Sequence, residues 1–116
     1  MAHDPLGPVA YLAEVLNDLA KTIDGKVGDD PSTSWTAKLL MGGPPLTAKK
    51  LGEEGVEAAL AVASQGDAEV SKEAADVIYH LLVALRSRGV TLDQVAKVLA
   101  ERQGKSGIAE KASRES

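Results

Sequence analysis

Apolar residues recur at helical spacing along most of this chain. Between about Val9 and Asp24, leucine, valine and isoleucine side chains fall mainly three or four residues apart, so one helix face carries them. No stretch shows the alternation of apolar and polar positions that marks a half-buried strand. Alanine and leucine, which favour helices, dominate the apolar content. The pattern therefore predicts an all-α fold.

Four further helical segments follow the first, each bounded by glycine, proline or a capping residue. They are predicted near Ser34–Met41, over Leu46–Ser64, over Ala68–Ser87, and from Thr91 to about Arg102. The run Gly42-Gly43-Pro44-Pro45 separates the second segment from the third and predicts a sharp turn there. Only a few residues join the third segment to the fourth, so these two helices are expected to lie antiparallel.

Polar residues stand where helix caps are expected. Ser34 and Asp67 are predicted to cap the second and fourth helices at their N-termini. Thr91, followed three residues later by Gln94, has the signature of a capping box. Gly89 is expected to end the fourth helix.

A chain of 116 residues supports one domain, predicted over residues 9–104, with flexible ends at 1–8 and 105–116. A bundle of four to five helices this small buries a modest share of its surface. We therefore expect dimerisation to complete the core, through a symmetric homodimer or a dimer of dimers.

Composition narrows the classes of partner. A net charge of −4 argues against a large nucleic-acid interface. The absence of cysteine excludes a disulfide framework and a thiolate zinc site, and it suits a reducing compartment. No apolar run approaches the roughly 18 residues of a membrane span, and residues 1–8 lack a signal-peptide pattern. A cytoplasmic protein without a membrane partner is expected.

Acidic residues concentrate in the third and fourth helical segments. Seven acids and one base lie between Leu51 and Leu85: Glu53, Glu54, Glu57, Asp67, Glu69, Lys72, Glu73 and Asp76. Each helix carries a pair of carboxylates three residues apart on one face, and the two helices are expected to face each other. A charged stripe on one helix is usually a solvated face. Here a single base accompanies seven acids, so most of the acids would repel one another rather than form pairs.

Carboxylates clustered between facing helices are costly unless a cation neutralises them. Oxygen ligands suit Mg²⁺, Mn²⁺ or Ca²⁺. An EF-hand is excluded because the acids lie on helices rather than in a loop. A ferritin-like di-iron site needs Glu-x-x-His pairs. His80 lies seven residues after Glu73, so that signature is absent.

The spacing of these acids resembles a known metal motif. Glu53-Glu54-x-x-Glu57 followed by Glu73-x-x-Asp76 is similar to the E-E-x-x-E…E-x-x-D motif of the MazG-like all-α nucleotide pyrophosphatases. Three segments resemble the phosphoribosyl-ATP pyrophosphohydrolase family in particular: S-W-T-A-K-L-L at 34–40, K-K-L-G-E-E at 49–54, and E-A-A-D-V-I-Y-H at 73–80. The resemblance covers about residues 12–103.

This resemblance implies the Mg²⁺-dependent hydrolysis of phosphoribosyl-ATP to phosphoribosyl-AMP and pyrophosphate, the second step of histidine biosynthesis. It assigns the metal to Glu54, Glu57, Glu73 and Asp76, with Mn²⁺ as a substitute for Mg²⁺. Catalysis is assigned to Glu53 and Glu54; Glu53 would be a further ligand or would orient the attacking water. The family is cytoplasmic and typically dimeric.

Other residues have both a functional and an ordinary structural interpretation. Those assigned to substrate binding are Ser34, Trp35, Thr36, Lys38, Lys50 and Arg102. Trp35 could stack on adenine or simply pack, and each lysine could contact phosphate or be solvated. Arg102 could reach a phosphate or only complement its helix C-terminus. His80 could hydrogen-bond a metal-ligating carboxylate or be a core histidine, and Tyr79 is expected in the core or an interface.

Two other functions fit parts of the pattern. A housekeeping or deoxynucleotide pyrophosphatase of the same superfamily would share the acidic motif, but segment 34–40 argues against it. A non-catalytic helical module could bind a basic partner through the acidic face.

Overall fold

The computed structural model describes residues 8–103 and Arg114. It contains four helices: α1 (Pro8–Asp24), α2 (Trp35–Ser64), α3 (Asp67–Arg88) and α4 (Leu92–Arg102). The described residues include no strand, which confirms the all-α fold class. None of the described helices combines the length and apolarity that a membrane crossing requires.

The predicted domain limits are only partly covered by these residues. Of the ends predicted to be flexible, 1–8 and 105–116, all but Pro8 and Arg114 lie outside the described residues. Pro8 begins α1, so the first helix starts one residue earlier than predicted. Proline suits the first turn of a helix because its missing N–H would have no partner there.

α2 consists of two helical arms that meet at Gly43. This residue has φ 71° and ψ −174°, which is not helical. We call residues 35–42 the first arm and residues 44–64 the second arm; they correspond to the second and third predicted segments. The second arm begins earlier than predicted, because Pro44 and Pro45 occupy its first turn.

The chain reverses direction between the two arms. Three side-chain contacts with α3 trace its course: Thr36 with Tyr79, Thr47 with Ser87, and Glu54 with His80. Between Thr36 and Thr47 the contacted position on α3 moves from residue 79 to residue 87. By Glu54 it has returned to residue 80. The second arm therefore lies antiparallel to α3, and the predicted sharp turn is confirmed.

The reversal brings distant positions together. The Lys50 ammonium lies 5.9 Å from the centroid of the Trp35 ring. In a straight helix, 15 residues would separate the two along the axis by about 22 Å.

Most helix ends follow the sequence signals. Ser34 caps α2 by accepting a hydrogen bond from the Ala37 amide, and Thr91 forms the predicted capping box with Gln94. Gly89 ends α3 in the left-handed region, with φ 69°. The prediction for Asp67 was wrong: Gly66 is the N-cap and Asp67 is the first residue of α3. Gly66 supplies the extended cap backbone, while the Asp67 carboxylate complements the helix dipole from the first turn.

The hydrophobic core joins α1, the first arm of α2 and α3. Its buried centre consists of Ile23, Leu39, Leu82 and Val83. Leu92 of α4 packs against the edge of this cluster. Leu39 is fully buried, so the first arm is anchored in the core by its middle, while Trp35 at its start is 50% exposed.

The reversal yields a stability prediction. The backbone conformation of Gly43 lies in a region that is essentially restricted to glycine. Gly43→Ala should therefore lower the free energy of unfolding by about 1–3 kcal/mol. Gly52 lies within the second arm with open space around its Cα, so Gly52→Ala should raise stability by roughly 0.5–1 kcal/mol. Urea denaturation of both variants checks this, and equal effects would contradict the account of the turn.

Candidate metal centre

Three carboxylates converge where the second arm of α2 packs on α3. One oxygen from each of Glu54, Glu57 and Glu73 lies within 4.8 Å of the other two. The spacing of three residues places Glu54 and Glu57 on one face of α2, and the antiparallel packing brings Glu73 from α3 to meet them. We call these three residues the acidic cluster.

Asp76, the fourth predicted ligand, lies at the margin of the acidic cluster. Its side chain is not one of the three that converge. Its negative charge is the smallest of the contributions that raise the pKa of Glu54. The structure thus brings together three of the four predicted ligands.

Two oxygens of the acidic cluster are buried without a partner. Glu54 Oε2 and Glu73 Oε2 are inaccessible to solvent and make no hydrogen bond within the described part of the chain. A buried carboxylate oxygen without a partner is costly. An all-oxygen donor set of this kind fits a hard divalent cation such as Mg²⁺.

The electrostatics of Glu54 reflect this crowding. Its pKa is raised above the ordinary value, chiefly by a hydrogen bond with Glu57, then by burial and by the charge of Glu57. His80 acts in the opposite direction and lowers the pKa. A metal ion bound by Glu54 would compete with protons for its carboxylate.

His80 is held by its own helix rather than by a carboxylate. Its Nδ1 lies 2.9 Å from the backbone carbonyl oxygen of Asp76. Since a carbonyl only accepts, Nδ1 carries the hydrogen. The same nitrogen lies 3.9 Å from Glu54 Oε1, which is too long for a hydrogen bond. His80 is buried beside the acidic cluster, and its Nδ1 bonds to the backbone, as a core histidine would.

The two carboxylates assigned to catalysis occupy different environments. Glu54 belongs to the acidic cluster. Glu53 is exposed, and its Oε1 lies 3.5 Å from the Lys50 ammonium. Glu53 is therefore a solvent-accessible carboxylate beside the cluster, not one of its converging members.

An exposed aromatic ring with two lysines lies at the start of α2. The ammonium groups of Lys38 and Lys50 lie 5.8 and 5.9 Å from the centroid of the Trp35 ring. The first and second arms each contribute one lysine, so this arrangement depends on the reversal at Gly43. A half-exposed indole with two ammonium groups nearby offers a stacking surface for a base close to groups that attract phosphate.

The hydroxyls of Ser34 and Thr36 already have partners within the protein. Ser34 Oγ accepts from the Ala37 amide at 3.1 Å, and Thr36 Oγ1 lies 2.5 Å from the Tyr79 hydroxyl. The second contact was not predicted from the sequence, because it joins positions 43 residues apart. Tyr79 also packs against the core, as expected.

Arg102 is exposed in the last turn of α4. That helix supplies none of the carboxylates of the acidic cluster. Its position suits interaction with the dipole at the end of α4.

The fold and the site together define the class: an all-α protein whose packed helices present a carboxylate cluster suited to a divalent cation. Within that class, the chain belongs to the phosphoribosyl-ATP pyrophosphohydrolase family, whose profile matches residues 16–103. The match includes α2, α3, α4 and the acidic cluster.

Relatives named phosphoribosyl-ATP pyrophosphatase are similar over most of their length. One from Ruegeria sp. (strain TM1040) is 54% identical over 100 residues, covering 86% of this chain and 95% of the relative. One from Caulobacter vibrioides is 53% identical over 103 residues, covering 89% and 95%. One from Cereibacter sphaeroides is 54% identical over 100 residues, covering 86% and 97%. The similarity extends over nearly the whole of these proteins.

Proposed function

We propose that this chain hydrolyses phosphoribosyl-ATP to phosphoribosyl-AMP and pyrophosphate, the second step of histidine biosynthesis. Membership of the family and relatives that carry the name of this activity support the assignment. The observation that carries the chemistry is the convergence of Glu54, Glu57 and Glu73, two of which bury an oxygen without a partner.

We further propose Mg²⁺ as the cofactor, with Mn²⁺ as a substitute. Glu54, Glu57 and Glu73 would hold it, with Asp76, whose charge acts on Glu54, as the fourth ligand. When bound, the cation supplies neutralisation of the charge on the phosphate oxygens. The all-oxygen donor set supports this choice.

The chain's own residues then bind the nucleotide and accept the proton of the attacking water. Trp35 stacks on the adenine, and Lys38 and Lys50 attract phosphate oxygens as point charges. Water adds to phosphorus as the α–β anhydride bond breaks, and pyrophosphate leaves with the bonding electrons. Glu53, exposed beside the acidic cluster, orients that water and accepts its proton.

Product analysis tests the proposed reaction. Phosphorus NMR of phosphoribosyl-ATP incubated with the protein and Mg²⁺ should show pyrophosphate and phosphoribosyl-AMP appearing in equal amounts. EDTA should stop the reaction. Release of orthophosphate would mean that a different anhydride bond is cleaved, and the assignment would be wrong.

We also propose a homodimer, supported by the apolar surface that one chain leaves exposed. Val56 and Leu60 lie one turn apart on the second arm, 62% and 57% exposed. A groove of about 500 Å³ between α1, α3 and α4 is lined mainly by aliphatic side chains, including Leu16, Ile78 and Leu99. Surfaces of this kind are usually covered by a partner.

Sedimentation equilibrium at micromolar concentration should give twice the 12.0 kDa mass of the chain, or four times for a dimer of dimers. A monomer throughout that range would contradict the proposal.

A cytoplasmic location is part of the same assignment, and the absence of cysteine suits a reducing compartment.

A further inference from the structure

The segment that carries Trp35 and Lys38 is not a rigid extension of the helix that carries Glu54 and Glu57. The two arms of α2 meet at Gly43, where the helical backbone is interrupted. Buried Ala37 and Leu39 anchor the first arm through apolar packing, which is not directional. The distance between the exposed Trp35 and the acidic cluster therefore depends on contacts near the start of the arm.

One directional, part-buried hydrogen bond fixes the start of the first arm relative to α3. The Tyr79 hydroxyl lies 2.5 Å from Thr36 Oγ1, next in sequence to Trp35. Tyr79 is on α3, which also carries Glu73. Its ring meets the His80 ring edge-on, with centroids 4.9 Å apart, and His80 lies beside Glu54.

We propose that Tyr79 is a positioning residue that sets substrate specificity by fixing the nucleotide-recognition arm relative to the acidic cluster. This role for Tyr79 rests on the proposed function for the identity of the substrate. The Tyr79 hydroxyl contacts Thr36, and Tyr79 is not among the residues proposed to hold the metal or the phosphates, so it acts through Thr36. The residue therefore matters most for phosphoribosyl-ATP, whose additional phosphate would engage Lys38 while its triphosphate engages the acidic cluster, and less for ATP, which lacks that phosphate.

A second hydroxyl pair between α2 and α3 provides a matched control. Thr47 Oγ1 lies 2.8 Å from Ser87 Oγ. Each hydroxyl also has a backbone carbonyl within reach: Ser87 Oγ donates to Ala84 at 2.7 Å, and Thr47 Oγ1 donates to Pro44 at 3.3 Å. This pair joins the same two helices through the same kind of bond, but it lies beyond Gly43 on the second arm. Ser87→Ala therefore removes a comparable bond without releasing the first arm.

The kinetic test compares Tyr79→Phe with Ser87→Ala. Tyr79→Phe should raise KM for phosphoribosyl-ATP roughly five- to tenfold, as expected for loss of one hydrogen bond, with kcat within about twofold of the original. Its kcat/KM for ATP should be little changed. Ser87→Ala should leave both substrates unaffected. Equal loss of kcat with both substrates, or wild-type kinetics in Tyr79→Phe, would overturn the proposal.

A spectroscopic test does not depend on activity. Trp35 is the only tryptophan in the chain, so its fluorescence reports on the start of the first arm. Tyr79→Phe should lower the steady-state anisotropy of Trp35, and Ser87→Ala should not. Thr36→Val should lower it equally, with no further fall in the double variant, because both changes remove one bond. Unchanged anisotropy, or additive falls, would overturn the positioning role even if the wild type proved to hydrolyse another nucleotide.

Discussion

Glu57→Gln should reduce turnover of phosphoribosyl-ATP by orders of magnitude while leaving the fold intact. The substitution removes one of three converging carboxylates with little change in shape. The loss is expected to be large because the metal contributes most in the transition state. The fold should tolerate it because glutamine keeps the shape of glutamate, and its amide can donate a hydrogen bond to the neighbouring Glu54 carboxylate.

The stability of this variant separates a metal site from a solvated face. Without Mg²⁺, thermal melts should show the variant to be as stable as the wild type or slightly more so, because like-charge repulsion falls. The stabilisation that Mg²⁺ gives the wild type, which follows mass action, should shrink sharply. An ordinary surface change would alter stability by no more than about 0.5 kcal/mol and would leave the Mg²⁺ effect untouched.

Glu69→Gln is the matched control for Glu57→Gln. Glu69 is an exposed carboxylate one turn before Glu73 on the same face of α3, and it is outside the acidic cluster. The Glu69→Gln variant should turn over phosphoribosyl-ATP at the wild-type rate and keep the stabilisation by Mg²⁺. If the two variants behave alike, the acidic cluster has no special role.

Phosphoribosyl-ATP should be preferred over ATP by about 100-fold or more in kcat/KM. The two nucleotides share a triphosphate and differ by a ribosyl phosphate on the base. The acidic cluster acts on what they share, so discrimination has to come from groups remote from it. Lys38, exposed on the first arm beside Trp35, is placed to provide it by attracting the additional phosphate.

Lys38→Ala tests the source of this selectivity. It should lower kcat/KM for phosphoribosyl-ATP and leave that for ATP nearly unchanged. Lys49→Ala, which removes an exposed lysine of the second arm, should change neither. Wild-type turnover of ATP or deoxynucleotides comparable to that of phosphoribosyl-ATP would move the assignment to a housekeeping pyrophosphatase.

Local signals in the sequence were enough to predict much of the fold. The capping box at Thr91 and the glycine at 89 act within a few residues, so their outcome does not depend on the rest of the chain. Repeated spacing of three residues likewise placed Glu54 and Glu57 on one helix face, and a short link brought α3 alongside. Most of the acidic cluster therefore follows from local spacing and the order of the helices.

What could not be predicted depends on tertiary geometry. The glycine–proline run indicates a turn, but not that the reversal brings Lys50 close to Trp35. The bond between Thr36 and Tyr79 has no local signature, because it joins two faces that meet only after the turn. His80 could bond to a carboxylate or to the backbone, and sequence alone does not show that its Nδ1 bonds to the Asp76 carbonyl.

The central claim is that a divalent cation binds where the second arm of α2 meets α3, and paramagnetic NMR tests it most directly. Substoichiometric Mn²⁺ added to the ¹⁵N-labelled protein broadens amide signals near the bound ion. Selective broadening is expected around Glu54, Glu57 and Glu73, reversed by excess Mg²⁺ and lost in Glu57→Gln. Broadening centred on other acids, such as Asp29 and Asp30, or spread evenly over the surface, would contradict it.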